Sequence, residues 1–307
     1  MPFTFHSHSG QFCRHAKGTL ENVVKAAIAK NMLVLGLTEH VPRSRTQDLY
    51  PEESDLTTND LHTAFHAYVD EARRLRSQYG SQIHILIGAE TEYITHDTLD
   101  ELKRLRKKYD LDFLVGSLHH VNGMPMDFSP ELYEQIVEHC SGSRSEMFRR
   151  YFDEQLVLLQ ELQPEIVGHF DLIRIFHPYS AGVEDPLLQD DIRNLALRNI
   201  DYAISYGAIF EINTRAWKKG LRDAYPQRDL LQEILARGGR ITLSDDSHGE
   251  HDVCMHYDRA LAYLREMGVK QLHYLRKTAE GAVQVCVLDN ATEHEFWAAN
   301  GFFVVVV

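Results

Sequence analysis

Short apolar runs alternate with longer amphipathic segments along this chain of 307 residues. The short runs are rich in aliphatic and β-branched residues and predict strands at 2–8, 32–40, 83–92, 112–120, 165–171, 208–215 and 240–248. The longer segments carry apolar residues at helical spacing and predict helices at 20–31, 61–80, 99–110, 145–163, 191–207 and 228–239. Near-continuous apolar strands separated by helices indicate an α/β fold with a parallel sheet covered on both faces.

No internal repeat, low-complexity tract or linker rich in Pro and Gly interrupts this alternation. Because α/β barrels commonly reach this length as one unit, we expect a single domain over residues 1–307. The C-terminal "FFVVVV" has the length of one buried strand and is far too short to span a membrane.

Composition narrows the class of partner. The chain has 45 acidic and 32 basic residues and a net charge of −13, which disfavours binding to nucleic acid and favours a small substrate. The four cysteines form no CxxC pair and follow no secretory signal, so we expect a cytoplasmic protein without a membrane partner. The sequence leaves the oligomeric state open, a homo-oligomer included.

Nearly every predicted strand ends in His, Asp or Glu. These residues are His6 and His8, Glu39 and His40, Glu90, His119 and His120, His169 and Asp171, and Asp245, Asp246 and His248. In a β/α barrel all these strand ends meet on one face, where such folds place their active sites. A hydrophobic core does not require this pattern, which therefore indicates a site built from six strand ends.

These residue types suit metal ions. Alternation along a strand returns to the same side every second residue, so the two imidazoles of an HxH pair can bind one ion. Imidazoles and carboxylates suit Zn²⁺, Mn²⁺ or Fe²⁺, and the lack of clustered cysteines argues against a structural zinc site. About nine such ligands are too many for one ion, so we expect two or three divalent transition-metal ions.

A set of motifs in a fixed order resembles one known family. The motifs are "FHSHSGQFCRHA", "GLTEHVPR" followed by "DLYPEE", "GAETEY", "GSLHHV", "GHFDLI", "EINTRAWKKG" and "LSDDSH". Between residues 5 and 248 they resemble the polymerase and histidinol phosphatase (PHP) family of metal-dependent phosphoesterases, especially its histidinol-phosphatase branch. The resemblance implies a distorted (β/α)7 barrel with a trinuclear metal site at the C-terminal ends of the strands.

The resemblance also implies ligands for each ion. The first ion is assigned to His6, His8, Glu90 and Asp246, the second to Glu90, His119 and His169, and the third to His15, His40 and His248. The family patterns Ser-x-His and Asp-x-His favour His119 over His120 and Asp246 over Asp245. The implied reaction is hydrolysis of L-histidinol phosphate to L-histidinol and inorganic phosphate in histidine biosynthesis, through attack by a metal-bridging hydroxide.

Residues for proton transfer and substrate binding are less well defined. Asp171, Asp245 and His120 are unranked candidates for protonating the leaving alcohol. Arg174 and Arg215 follow strand ends and have the guanidinium geometry that suits phosphate, and Arg43 is a weaker candidate. Glu211 or the acidic segment 48–55 is expected to meet the substrate ammonium.

Two other functions remain open at this point. A nuclease or a phosphoesterase for another phosphate ester would use the same ligands, although a nuclease should present a basic groove. A metal-dependent regulatory or binding module is the third possibility. Segment 121–146 lacks clear periodicity at its start and is either a lid or a dimer contact.

Overall fold

The computed structural model describes residues 3–179 and 182–302. The strands are β1 (Phe3–Thr4), β2 (Ser7–His8), β3 (Val34–Leu37), β4 (His84–Glu90), β5 (Phe113–Gly116), β6 (His120–Val121), β7 (Met124–Pro125), β8 (Ile166–Val167), β9 (Ile209–Asn213), β10 (Arg240–Ser244), β11 (Ser247–His248), β12 (Leu272–Lys277) and β13 (Val283–Leu288). The strand expected in "FFVVVV" falls largely on residues 303–307, outside the described residues.

The helices follow the strands in the predicted alternation. They are α1 (Leu20–Ala29), α2 (Thr58–Tyr79), α3 (His96–Tyr109), α4 (Pro130–His139), α5 (Arg144–Leu162), α6 (Asp190–Ser205), α7 (Arg215–Lys218), α8 (Arg228–Ala236), α9 (Tyr257–Glu266) and α10 (Phe296–Ala299). Capping fixes several starts. Thr57 and Asp60, for example, exchange hydrogen bonds at the start of α2.

Seven parallel strands form the barrel wall in the order β1-β3-β4-β5-β8-β9-β10. This confirms the predicted distorted (β/α)7 barrel. The seam between β1 and β10 is joined by the Thr4 hydroxyl, which donates to the Asp245 carboxylate at 3.2 Å. Beyond the seam, β2 pairs in parallel with β11 and sets His8 directly opposite His248. The two chain segments that carry the HxH motif and the "DDSH" motif are therefore held side by side.

The antiparallel hairpin of β12 and β13 contacts Phe3 in β1, His84 in β4 and Asp112 before β5, and so lies at the N-terminal ends of the barrel strands. The ring of Tyr274 stacks on Phe3 at 5.0 Å, and Nζ of Lys277 lies 2.5 Å from Oδ1 of Asp112. The sequence analysis assigned no element here, because an edge hairpin with one exposed face has no long apolar run. Its packing covers the end of the barrel opposite to the predicted site.

One continuous hydrophobic cluster runs from Phe3 in β1 to Trp297 in α10. Its largest members include the fully buried rings of Phe113, Phe148 and Tyr257. All four cysteines are free thiols. Among the described residues, no helix is both long and apolar enough to cross a membrane.

Candidate metal centre and active site

Glu90, the last residue of β4, lies among imidazoles at the C-terminal end of the barrel. Its Oε1 is 3.0 Å from Nε2 of His6, 3.1 Å from Nε2 of His119 and 3.0 Å from Nε2 of His169. These histidines come from three different strand ends. One buried carboxylate oxygen therefore faces three ring nitrogens that converge on the same small space.

The second oxygen of Glu90 faces the seam of the barrel. Its Oε2 lies 3.3 Å from Nε2 of His8 and 2.9 Å from Nδ1 of His40. The β2–β11 pairing brings the rings of His8 and His248 to 4.5 Å, and Oδ1 of Asp246 lies 3.6 Å from Nε2 of His8. Asp246 has a φ of +46°, a left-handed turn between β10 and β11 that Asp tolerates better than most residues.

These contacts define a central cluster. Its members are His6, His8, His40, Glu90, His119, His169, Asp246 and His248. His15 lies at its edge, with its ring centroid 4.9 Å from that of His248.

Glu211 of β9 lies behind the cluster. Both its carboxylate oxygens are within 3.2 Å of Nδ1 of His6, and Oε1 also accepts the backbone N–H of His169 at 2.7 Å. A carboxylate that accepts Nδ1–H leaves Nε2 of His6 as the free lone pair. This is the arrangement that orients histidine ligands in metal sites.

Two further carboxylates, of Glu92 and Glu39, lie next to ring nitrogens of the cluster. Oε1 of Glu92 lies 3.1 Å from Nδ1 of His119 and 3.2 Å from Nδ1 of His40. Oε2 of Glu39 lies 3.7 Å from Nδ1 of His8. In sequence, Glu92 comes two residues after Glu90, and Glu39 comes one residue before His40. Both carboxylates place negative charge beside the imidazoles.

Carboxylates and imidazoles lie close together in the cluster and shift one another's pKa values. Burial alone would lower the pKa of His6, but the carboxylates of Asp246, Glu90 and Glu211 raise that pKa well above its usual value. Burial would likewise raise the pKa of Glu90, but the surrounding imidazoles, His6 first, hold it well below its usual value. The buried carboxylates therefore require positive charge next to them.

Several atoms at the centre are buried without a hydrogen-bond partner. They include Nε2 of His6, both ring nitrogens of His8 and His40, Oε2 of Glu90 and Oδ1 of Asp246. Unpaired buried polar atoms are costly, and a bound cation would satisfy them. Four groups have ligand atoms within 4.8 Å of one another: His6, His8 and Asp246; His6, Glu90 and His169; His8, His40 and His248; and Cys13, His15 and His40. Such donor sets fit divalent transition metals.

A cavity of about 430 Å³ opens above the cluster. Besides cluster residues, it is lined by His15, Tyr50, Glu52, Asp127, Phe128, Leu172, Ile175, Arg215, Lys219 and Tyr225. Cations, carboxylates and aromatic rings thus line one cavity above the central cluster.

A family model of the PHP domain matches residues 4–215, which is more than half of the chain. The chain belongs to the PHP domain family. Among curated proteins, this PHP domain is similar to the probable histidinol-phosphatase of Schizosaccharomyces pombe, with 48% identity over 97% of this chain and 96% of that protein. It is also 32% identical to the histidinol-phosphatase of Saccharomyces cerevisiae, over 88% of this chain and 89% of that protein.

Two solved structures share the fold of this PHP domain. The putative histidinol phosphatase of Listeria monocytogenes matches with a TM-score of 0.70 and 21% identity, over 84% of this chain and 99% of that one. Histidinol phosphate phosphatase from Lactococcus lactis, solved with zinc, L-histidinol and phosphate, matches with a TM-score of 0.65 and 21% identity, over 89% of this chain and 95% of that one. Both confirm the barrel architecture.

Two of the arginines predicted to bind phosphate, Arg174 and Arg43, do not line the cavity. Arg174 is 2% exposed, and its guanidinium is bound by Asp171, Asp185 and Asp229 at 2.8–2.9 Å. Arg43 pairs with Glu53 and does not line the cavity. In this structure, carboxylates therefore already pair with both of these predicted phosphate ligands.

Of the two predicted sources of an ammonium ligand, the segment 48–55 supplies Glu52 to the cavity wall, whereas Glu211 does not line the cavity. Glu211 is fully buried behind His6 and has no access to the cavity. Asp171 accepts from Arg174, and Asp245 accepts from Thr4 and two backbone N–H groups, so both predicted proton donors already form hydrogen bonds within the protein. Burial raises the pKa of Asp171 to about 6 and that of Asp245 to about 7.

His120, the third predicted proton donor, does not line the cavity either. The ring is 2% exposed, does not line the cavity and lies 3.6 Å from Oε2 of Glu92. Burial lowers its pKa to about 4, so it is neutral near pH 7. In the same motif, His119 points into the central cluster.

Sequence reasoning missed several residues of the cavity wall. Asp127, Phe128, Lys219 and Tyr225 come from loops and helix ends rather than strand ends. Lys219 belongs to the motif "EINTRAWKKG", in which Arg215, closer to the strand end, was the predicted phosphate ligand. Asp127 and Phe128 belong to the segment whose role was left open, and the structure places both in the cavity wall beyond the β6–β7 hairpin.

Proposed function

We propose that this PHP domain hydrolyses L-histidinol phosphate to L-histidinol and inorganic phosphate. The observation that carries the proposal is the cavity above the ligand cluster, whose lining combines two cationic side chains with carboxylates and aromatic rings. The curated relatives named histidinol-phosphatase, at 48% and 32% identity, support the same substrate.

The central cluster and His15 would hold the ions, two or three in number. We assign a first ion to His6, His8, Glu90 and Asp246, a second to Glu90, His119 and His169, and a third to His15, His40 and His248. The observed groupings place His6 with His8 and Asp246, Glu90 with His6 and His169, and His40 either with His8 and His248 or with Cys13 and His15. Bound divalent ions would neutralise phosphate oxygens and lower the pKa of a water molecule toward neutrality. Zinc is favoured by the Lactococcus lactis complex, although Mn²⁺ and Fe²⁺ suit the same donors.

Two cations at the cavity would bind the phosphate. The guanidinium of Arg215 is held by Asp252 at 3.2 Å and by the backbone oxygen of Asp246 at 3.1 Å, which fixes it beside the cluster. Lys219 is exposed at the cavity wall and has no ion pair among the described residues. Arg215 therefore supplies a positioned contact, and Lys219 adds an exposed positive charge.

The organic part of the substrate would meet the aromatic and acidic residues of the cavity lining. Tyr50 and Phe128 stack with ring centroids 5.8 Å apart and offer an apolar face to an imidazole ring. Asp127 has no hydrogen bond or ion pair in the described part of the chain, whereas Glu52 already binds Nδ1 of His15 at 2.7 Å. Asp127 is therefore our candidate for the substrate ammonium.

Tyr225, rather than Asp171 or Asp245, is our candidate hydrogen-bond donor to the reacting phosphate. It is 3% exposed, lines the cavity and has a hydroxyl without a partner among the described atoms. Burial raises the pKa of this phenol well above its usual value, so it stays protonated and donates. Replacement by Phe should lower kcat more than it raises KM.

The deciding experiment is phosphate release by the purified protein, reconstituted separately with Zn²⁺, Mn²⁺ or Fe²⁺. L-histidinol phosphate is compared with sugar phosphates, nucleotides and single-stranded DNA. We expect a kcat/KM for histidinol phosphate at least about 100-fold above every competitor, which is about 2.7 kcal/mol of transition-state discrimination. Equal activity across the panel, or activity on DNA alone, would reject this substrate.

We further propose that residues 1–307 form one domain that acts in the cytoplasm. The hydrophobic cluster is continuous from Phe3 to Trp297, and the four free thiols suit a reducing compartment. Calorimetry should show one cooperative transition, and cell fractionation should recover the protein with cytoplasmic markers.

A further inference from the structure

Cys13 lies at the edge of the metal centre but belongs to none of the ion assignments above. Its side chain is 8% exposed, and Sγ lies 3.3 Å from Nε2 of His15. Sγ, one nitrogen of His15 and one nitrogen of His40 all lie within 4.8 Å of one another. A thiol and two imidazoles at these distances can converge on a single ion.

The neighbouring contacts prepare this group to bind a cation. Oε1 of Glu52 lies 2.7 Å from Nδ1 of His15, so Nδ1 donates to the carboxylate and Nε2 keeps its lone pair toward Cys13. Nε2 of His40 is buried and has no hydrogen-bond partner. Cys13 itself is held in place by its backbone N–H, which donates to the carbonyl of Ser9 at 2.9 Å.

We propose that Cys13 is a ligand of the ion bound by His15 and His40, and that its thiolate makes this position prefer zinc. The inference rests on the metal centre proposed above. On binding, the thiol loses its proton to solvent and the thiolate sulfur coordinates the ion. The other assigned donors are nitrogen and oxygen, so Cys13 is the one soft donor of the set, and thiolates favour Zn²⁺ over Mn²⁺.

Cobalt substitution tests the proposal directly. The wild-type protein, Cys13→Ser and the control Cys140→Ser, a buried cysteine in the turn after α4, are stripped and reloaded with Co²⁺. We expect a near-ultraviolet thiolate-to-cobalt charge-transfer band in the wild-type protein and in the control, and none in Cys13→Ser. Elemental analysis of the same samples should show bound cobalt in all three.

The outcomes separate the two proposals. If elemental analysis finds no cobalt in the wild-type protein, the metal centre itself is rejected. If cobalt is bound but the wild-type band is absent, or if the band persists in Cys13→Ser, the metal centre stands and Cys13 is not a ligand.

A second measurement needs no variant. X-ray absorption of the zinc-loaded wild-type protein should show a zinc–sulfur distance of about 2.3 Å beside nitrogen and oxygen at about 2.0–2.2 Å. A spectrum with nitrogen and oxygen alone would overturn the proposal. In zinc competition with a chelator, Cys13→Ser should lose its weakest-bound zinc at least about tenfold more readily, and its manganese binding should stay unchanged.

Discussion

Nδ1 of His6 lies 3.1 Å from Oε2 and 3.2 Å from Oε1 of Glu211, although the two residues are 205 positions apart. His6 lies just after β1, the first barrel strand, and Glu211 lies on β9. The parallel barrel brings these side chains together, and the carboxylate fixes the ring so that Nε2 faces Glu90. The orientation of one metal-ligand candidate therefore depends on an acid that has no access to the cavity.

Glu211→Gln should weaken metal binding. The amide oxygen still accepts the backbone N–H of His169, but the negative charge that holds His6 is lost. We expect affinity for the first ion to fall by about 10-fold to 100-fold. Chelator competition followed by elemental analysis measures the change. Glu161→Gln, at an exposed glutamate of α5, is the control, and equal metal retention in the two variants would contradict the positioning role of Glu211.

Arg174 and Arg215 should respond oppositely to replacement by Ala. Arg174→Ala leaves the carboxylates of Asp171 and Asp229 without their cation, so the free energy of unfolding should fall by about 3–5 kcal/mol. Arg215→Ala removes a cavity cation and should raise KM for the phosphate ester while changing stability by much less. Denaturant unfolding and steady-state kinetics measure both. A stable Arg174→Ala with a raised KM would restore Arg174 as a phosphate ligand.

The sequence predicted the barrel and the central cluster because both depend on local pattern. The strand ends that carry His8 and His248 can be found from periodicity, and parallel topology then requires them to meet. The surroundings of Arg174 cannot be found this way. Its partners Asp185 and Asp229 lie 11 and 55 residues further along the chain, and "GHFDLIR" suits a phosphate ligand equally well.

The substrate end of the cavity could not be predicted for a related reason. Asp127 and Tyr225 lie in loops, where neither helical nor strand spacing constrains which way a side chain points. Their positions follow from how the β6–β7 hairpin and the segment before α8 pack over the barrel. The positions of the metal-ligand candidates therefore follow from the local sequence pattern, whereas the positions of the cavity-wall residues depend on tertiary contacts.

Asp127→Asn should impair recognition of the substrate amine selectively. A hydrogen bond to a charged group contributes about 1.5–3 kcal/mol, so kcat/KM for histidinol phosphate should fall by about tenfold to 100-fold. For an analogue of histidinol phosphate that lacks the amino group, kcat/KM should change by less than about twofold. Steady-state kinetics on both substrates measures the difference. An equal loss on both would show that Asp127 does not contact the ammonium.

Glu154 of α5 should make stability depend on pH. Its carboxylate accepts the backbone N–H of Asn122 at 3.1 Å, and burial raises its pKa from 4.5 to about 7. The folded state therefore binds a proton that the unfolded state releases, and the contribution to stability is lost as pH rises from about 4.5 to about 7. Glu154→Gln keeps the acceptor oxygen and removes the titration.

The stability of Glu154→Gln relative to the wild-type protein should accordingly rise with pH. Between pH 5.5 and 8, we expect the difference in the free energy of unfolding to grow by about 1–2 kcal/mol in favour of the variant. Urea unfolding at both values measures it. Any pH dependence that comes from the metal centre is common to both proteins and cancels in the difference. A constant difference would mean that Glu154 is already ionised well below neutral pH in the folded protein.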